Sequence, residues 1–185
     1  MEPQWFEREL AIGILASSLG WMFVIAGAIK VRHPWLASLA MVDFRVARAA
    51  SRRNGLIHGL GEVIIGVWLV SGIAPTGACV VAATALTGFT ALIVRSLIHG
   101  DQFPCRCFGD GDSELSSATA LRTVALAGLA WVAAVGSFDL ALNTRSESAR
   151  LLIVVAGGAL TVTTMLVASI PKLLRWNSLR GYVSL

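Results

Sequence analysis

LAIGILASSLGWMFVIAGAI, residues 10–29, contains no charged side chain. A helix rises about 1.5 Å per residue, so a segment of this length crosses a hydrocarbon core roughly 30 Å thick. Four further apolar segments of similar length follow, at residues 56–74, 76–94, 118–138 and 151–170. The residues ahead of the first segment, Glu2, Glu7 and Glu9, argue against a signal peptide, which needs a basic leading region. We therefore predict about five transmembrane helices.

Composition supports a membrane protein. Hydrophobic residues make up 56% of the 185 residues and charged residues 14%, whereas roughly a quarter of the residues in soluble domains are charged. The mean hydropathy is +0.73. Backbone polar groups cannot stay unpaired in lipid, so we expect an all-α polytopic membrane helix bundle, with a four-helix core plus one helix. Residues 1–185 form a single domain in this interpretation, and the lipid bilayer is the first partner.

The distribution of lysine and arginine predicts the orientation. Most of the 15 basic residues fall in the segment after the first helix, in the region between the third and fourth helices, and in the tail. The opposite side carries Arg8, Arg145 and Arg150. By the positive-inside rule, the N-terminus lies outside a bacterial plasma membrane, and the loop between the third and fourth helices, which contains Cys105 and Cys107, faces the cytoplasm together with the C-terminus. The net charge of +4 needs no nucleic acid, because inward loops are basic in any case.

A further helix is predicted after the first span. Pro34 suits a first helical turn. The residues after it place apolar side chains on one helical face and arginines on another: Trp35, Leu39, Val42, Val46 and Ala49, against Arg45, Arg48 and Arg52. This pattern predicts an amphipathic helix in the membrane surface, with its arginines among anionic headgroups. Anchoring is the favoured role, and a docking surface for a partner is the alternative.

Glu62 is the charged residue whose position within a span demands a partner. An ionised side chain at the bilayer centre costs about 3 kcal/mol on insertion scales. Lys30, at the end of the first span, is the expected partner, and His58 shares a helical face with Glu62. We favour a structural Lys30–Glu62 pair over a proton-transfer role. Gly55 and Gly59 would let this helix approach a neighbour closely.

Cys105 and Cys107 are the residues with the most evident chemistry. They lie in the short polar segment PCRCFG, residues 104–109. Three interpretations compete: an exchanging thiol pair, part of a metal site, or two inert thiols. The metal interpretation needs further ligands such as His99, Asp101 or Asp110, whose spacing fits no standard zinc pattern, so we expect no metal. Cys79, inside a span, is expected to be a packing residue.

A disulfide between residues two apart requires a tight turn and is strained. Strained, exposed disulfides exchange readily. Pro104 and Gly109 make such a turn credible. Arg106 would favour the thiolate form, whereas the nearby acidic residues would oppose it.

The order of these features resembles the MauE group of bacterial membrane proteins, the methylamine utilisation family related to DoxX. Three elements over about residues 10–135 carry the resemblance: AGAIK at 26–30, GLGEVIIG at 59–66, and CRCFG at 105–109 followed by Arg122. Members of this family are implicated, with a thioredoxin-like partner, in maturing methylamine dehydrogenase. The family usually has glycine between its cysteines, so Arg106 is a departure that adds charge and removes flexibility.

The resemblance implies a membrane protein that supports thiol-disulfide exchange. Cys105 and Cys107 would be the redox pair, a thioredoxin-fold protein the partner, and Arg106, Phe108, Gly109, Lys30 and Glu62 the supporting residues. The alternative is a non-catalytic subunit or assembly factor of a larger membrane complex. No cofactor is evident. A third interpretation, quinone reduction, has no residue to support it beyond Trp21, Trp68 and Trp131, which are more simply packing residues.

Overall fold

The structure, a computed structural model, describes residues 4–101, 117–136 and 151–164, with side chains from residue 10 onward. These residues form helices and no strand. The helices are α1 (Gln4–Arg32), α2 (Pro34–Asp43), α3 (Arg52–Ser71), α4 (Pro75–Ile98), α5 (Ser117–Gly136) and α6 (Leu151–Thr164). By length and composition, α1, α3, α4 and α5 can each cross a membrane. The polytopic helix bundle is confirmed; the last residues of the fifth predicted span, 165–170, lie outside the described residues.

Helices α1 and α3 pack antiparallel through glycines. A Cβ at Gly27 would lie 2.6 Å from the Gly59 carbonyl oxygen, and a Cβ at Gly66 would lie 2.6 Å from the Gly20 carbonyl oxygen. Gly20 and Gly27 are seven residues apart on α1, and Gly59 and Gly66 are seven residues apart on α3. The two glycines of each helix therefore lie on the same face of that helix. Only glycine lets the two backbones approach this closely. In the first turn of α3, a Cβ at Gly55 would overlap the Pro34 carbonyl oxygen. The expected close approach to a neighbouring segment is therefore confirmed for both Gly55 and Gly59.

The helix that begins at Pro34 is shorter than its sequence pattern predicts. It ends at Asp43, and Arg45 takes a left-handed φ of +58°. The Val46 N–H then donates to the Met41 carbonyl and the Arg45 N–H to the Val42 carbonyl, which closes the helix as a Schellman motif. The predicted extension was therefore wrong: Val46, Ala49, Arg45 and Arg48 follow α2, and Arg52 begins α3.

Small residues join α4 to α5. Buried alanines of both helices form the central cluster, together with Leu19 and Leu69: Ala78, Ala82, Ala83, Ala130, Ala133 and Ala134. Cys79 is buried in the same cluster with 1% exposure, as expected for a packing residue. The Trp131 Nε1 donates to the Thr87 Oγ1 at 3.1 Å. Helix α4 ends at Ile98; beyond it Gly100 takes a φ of +70°, and the Asp101 N–H donates to the Ser96 carbonyl.

Helix α6 runs parallel to α1 and packs closely on it. Ile153 lies against Gly13, and further along both helices the Thr161 hydroxyl donates to the Ser18 carbonyl at 3.0 Å. Between them, a Cβ at Gly157 would lie 2.6 Å from the Ser17 Oγ. Small residues and interhelical hydrogen bonds are the usual means by which helices associate in lipid.

Candidate functional site

The five residues of the predicted thiol site, Cys105, Arg106, Cys107, Phe108 and Gly109, lie outside the described residues. The residues on either side of this segment are described. Asp101 lies 3.5 Å from the Arg45 guanidinium. On the other side, α5 begins at Ser117, and its Thr123 lines the same cavity as Lys30. The segment 102–116 is therefore attached at the end of the bundle that holds Lys30 and α2.

Lys30 and Glu62 form the expected ion pair. The Lys30 ammonium donates to both carboxylate oxygens of Glu62, at 2.6 Å to Oε1 and 2.5 Å to Oε2. The two side chains are only 12% and 17% exposed. Gly27 and Gly59 permit the close approach of α1 and α3 that brings the two residues together. In surroundings of low dielectric, each charge would be costly without the other.

His58 extends this pair by one helical turn. Its Nε2 lies 3.4 Å from the Glu62 Oε1, as the spacing of four residues predicts. The His58 side chain is 43% exposed, unlike the two charged groups. Lys30, Glu62 and His58 therefore form a connected polar row, here called the polar triad, with the imidazole at its accessible end.

The polar triad lies on the wall of a cavity of about 430 Å³ that all helices from α1 to α5 help to line. Most of its wall is apolar, and three phenylalanines contribute to it: Phe23, Phe44 and Phe89. The rings of Phe44 and Phe89 pack edge to face, with centroids 5.8 Å apart. Thr123 also lines the cavity, but its hydroxyl already donates to the Ala120 carbonyl at 2.9 Å. The polar triad thus provides the polar chemistry of an otherwise apolar site.

The cavity lies where α3 and α4 separate. At their connected end, the Trp68 Nε1 donates to the Ile73 carbonyl at 2.7 Å, and a Cβ at Gly77 would lie 3.5 Å from the Trp68 ring. At the other end, His58 of α3 and Phe89 of α4 line the cavity and also an adjoining depression on the outer surface of α4. That depression includes the exposed Val81 and Gly88. The cavity and the depression therefore share the side chains of His58 and Phe89 between α3 and α4.

The tryptophans considered for a quinone site do not line this cavity. Trp21 donates to the Val154 carbonyl at 3.2 Å, and Trp68 and Trp131 make the hydrogen bonds described above. All three indole N–H groups therefore donate to groups of the protein itself. Within the part of the chain that the structure describes, no three His, Cys, Asp or Glu side chains form a group able to hold a metal ion.

Comparison with known families adds a finding about the whole bundle. The family described as Methylamine utilisation protein MauE matches residues 8–136. The chain belongs to the MauE family. The match covers α1 to α5 and the segment with Cys105 and Cys107, and α6 lies beyond it. Neither the curated proteins nor the solved structures contain a match to this chain. This member of the MauE family is thus a multi-pass membrane protein, and its polar triad and cavity lie inside the region that matches the family.

Sequence reasoning found the residues of the polar triad but missed the cavity beside them. Lys30, Glu62 and His58 could be related through helix position and the spacing of four residues. The cavity depends on the divergence of α3 and α4, for which no local pattern exists. A usable signal was present for the α1–α3 interface: the spacing of seven between Gly20 and Gly27 and between Gly59 and Gly66.

Proposed function

We propose that this MauE-family protein supports thiol-disulfide exchange during the maturation of partner proteins, with Cys105 and Cys107 as its redox pair. Family membership supports a membrane protein of methylamine utilisation. The proposal of thiol-disulfide exchange rests on one observation: the residues that match the family include Cys105-Arg106-Cys107. The client need not be methylamine dehydrogenase, because membership of the family is broader than that pathway.

The proposed exchange balances without a further reactant. A thiolate of a thioredoxin-fold partner attacks the Cys105–Cys107 disulfide, and one cysteine leaves as a thiolate. The second partner thiolate then attacks the mixed disulfide and releases the other cysteine. The protein gains two electrons and two protons, and the partner gains a disulfide. In the reverse direction, the dithiol reduces a partner disulfide.

The location of the described residues on either side of the cysteines supports this proposal. Asp101 and Ser117 lie at an end of the bundle, and a thiol pair held at that end would be within reach of a water-soluble partner. Arg106 would favour the thiolate form of either neighbouring cysteine, and Phe108 and Gly109 complete the family-like motif. Lys30 and Glu62 would act as supporting residues by holding α1 and α3 together at the same end.

A redox titration separates this proposal from the alternative of a non-catalytic assembly factor. We expect the purified protein, equilibrated with glutathione buffers of different potential, to interconvert reversibly between a dithiol and a disulfide that joins Cys105 to Cys107. Mass spectrometry after alkylation measures the ratio of the two forms. A pair that stays reduced at every potential that oxidises glutathione would favour the assembly factor.

A further inference from the structure

The cavity beside the polar triad has the properties of a ligand site. Its volume of about 430 Å³ falls in the range of about 300–1,000 Å³ typical of small-molecule pockets. Such pockets combine an apolar lining with a few polar groups that orient the ligand. Here the lining comes from five helices, and the polar groups are Lys30, Glu62 and His58.

Charge on the cavity wall restricts the class of ligand. The Lys30 ammonium is held by both oxygens of Glu62, so the pair carries no net charge. A phosphate or carboxylate headgroup would therefore meet the Glu62 carboxylate as well as the ammonium. A sugar or polyol would place most of its hydroxyls against apolar side chains. Each hydroxyl buried without a hydrogen-bond partner would weaken binding. An uncharged and largely apolar ligand with few polar atoms fits best.

The shape and the surroundings of the cavity restrict the class of ligand further. Phe23, Phe44 and Phe89 offer aromatic surfaces, against which a flat ring packs favourably. The partly exposed His58 imidazole can donate an N–H hydrogen bond to a ring oxygen. The depression on the outer surface of α4 adjoins the cavity at His58 and Phe89 and has an apolar lining, which suits an apolar tail on such a ligand.

We propose that this cavity binds a lipid-soluble quinone, with the ring among the phenylalanines and an oxygen at His58. The proposal that a quinone binds rests on the cavity alone and does not depend on thiol-disulfide exchange. If the proposed thiol exchange also holds, the bound quinone is a two-electron partner for the cysteine pair. The Cys105–Cys107 dithiol then gives two electrons and two protons to the quinone, and a disulfide and a quinol result.

Two glycines make a matched pair of variants for the test. A Cβ at Gly61 or at Gly128 meets no atom within 4 Å, so either position can accept a larger side chain. Gly61 lines the cavity, whereas Gly128 is exposed on α5 and does not. Gly61→Phe should therefore fill the cavity, and Gly128→Phe should leave it open. Ala85→Phe, at another exposed position on the cavity wall, serves if Gly61→Phe does not fold.

The probe is a benzoquinone with a single isoprenoid unit, added to purified protein in detergent. All variants carry Cys105→Ser and Cys107→Ser, because quinones alkylate thiols. A ligand that binds one site of the folded state raises the melting temperature as its concentration increases, and the apparent dissociation constant follows from this dependence. We expect this rise in the background protein and in Gly128→Phe. In Gly61→Phe or Ala85→Phe, and in His58→Leu, the apparent dissociation constant should rise by about tenfold or more.

Three results would overturn the quinone assignment. The first is an equal rise in every variant, which indicates partition into detergent. The second is no saturable rise in Gly128→Phe. The third is a co-purified phospholipid that Gly61→Phe lacks, with no effect of quinone. Since the tested protein has no exchanging thiols, these results do not bear on the thiol-disulfide proposal.

Discussion

Glu62 holds the centre of the polar triad and is the residue whose replacement is most informative. Its carboxylate accepts two hydrogen bonds from Lys30 and faces the His58 Nε2 at 3.4 Å. Neither charged side chain is more than 17% exposed. The pair is therefore largely removed from water, and its two members should depend on each other energetically.

A double-mutant cycle measures this dependence. We expect Glu62→Gln and Lys30→Met each to lower the apparent free energy of unfolding in detergent by about 1–3 kcal/mol. The loss stays moderate for Glu62→Gln because Lys30, near the end of α1, can extend toward water. The double variant Lys30→Met with Glu62→Gln should cost less than the sum of the two single changes, since no charge is left unpaired. Strictly additive losses would contradict a coupled pair.

The same Glu62→Gln variant tests the proton-transfer alternative. If the Lys30–Glu62 pair is structural, the variant should retain most of its activity in client maturation, measured per amount of folded protein. Complete loss of maturation with normal expression and normal melting in detergent would assign Glu62 a proton-transfer role. Gly128→Ala provides a control for expression, because a Cβ at that position meets no atom.

At the scale of helices, the α1–α3 interface is the element that depends most on small residues. A Cβ at Gly27 would lie 2.6 Å from the Gly59 carbonyl oxygen and 2.8 Å from the Val63 nitrogen. Both are backbone atoms, so the helices would have to move apart. That movement would also lengthen the Lys30–Glu62 contact.

We expect Gly27→Ala to lower the free energy of unfolding by about 1–3 kcal/mol, in the range typical of overpacking. Gly128→Ala is the matched change at an open position, and it should be neutral or stabilising by up to about 1 kcal/mol, because alanine favours a helix over glycine. Melting in detergent measures both. Equal melting temperatures for the two variants would mean that α1 and α3 do not pack through Gly27.

The sequence predicted the four spanning helices among the described residues to within a few residues, since apolar length decides them. The fourth span, expected at 118–138, is α5 at Ser117–Gly136. The end of α2 was missed because its stop signal is a left-handed Arg45, a conformation for which glycine is the usual marker. Lys30 and Glu62 were paired correctly because a buried charge requires a partner. The cavity could not be predicted, because it results from the separation of α3 and α4.

For the whole molecule, the orientation of the bundle decides which compartment the cysteines meet. The helix directions place Ser71 at the opposite end from Lys30 and Asp101. The positive-inside rule predicts that the Lys30 end faces the cytoplasm. A reducing cytoplasm would keep Cys105 and Cys107 as thiols.

Labelling in intact cells tests this orientation. We expect a membrane-impermeant maleimide to leave Cys105 and Cys107 unmodified until the membrane is opened. Ser71→Cys, in a background with Cys105→Ser and Cys107→Ser, should react in intact cells, since Ser71 is exposed at the other end. Cys79 is buried and should not contribute. The reverse labelling pattern would invert the orientation and would favour oxidation of external clients.

Trapping a mixed disulfide tests the proposed exchange most directly. In that mechanism one cysteine bonds to the partner and the other resolves the bond, so removing the resolving thiol should leave the intermediate in place. We expect either Cys105→Ser or Cys107→Ser to accumulate a reductant-sensitive adduct with a thioredoxin-fold protein, whereas the double variant loses both adduct and client maturation. If neither single variant traps a partner and the double variant still matures its client, the cysteines do not carry out exchange.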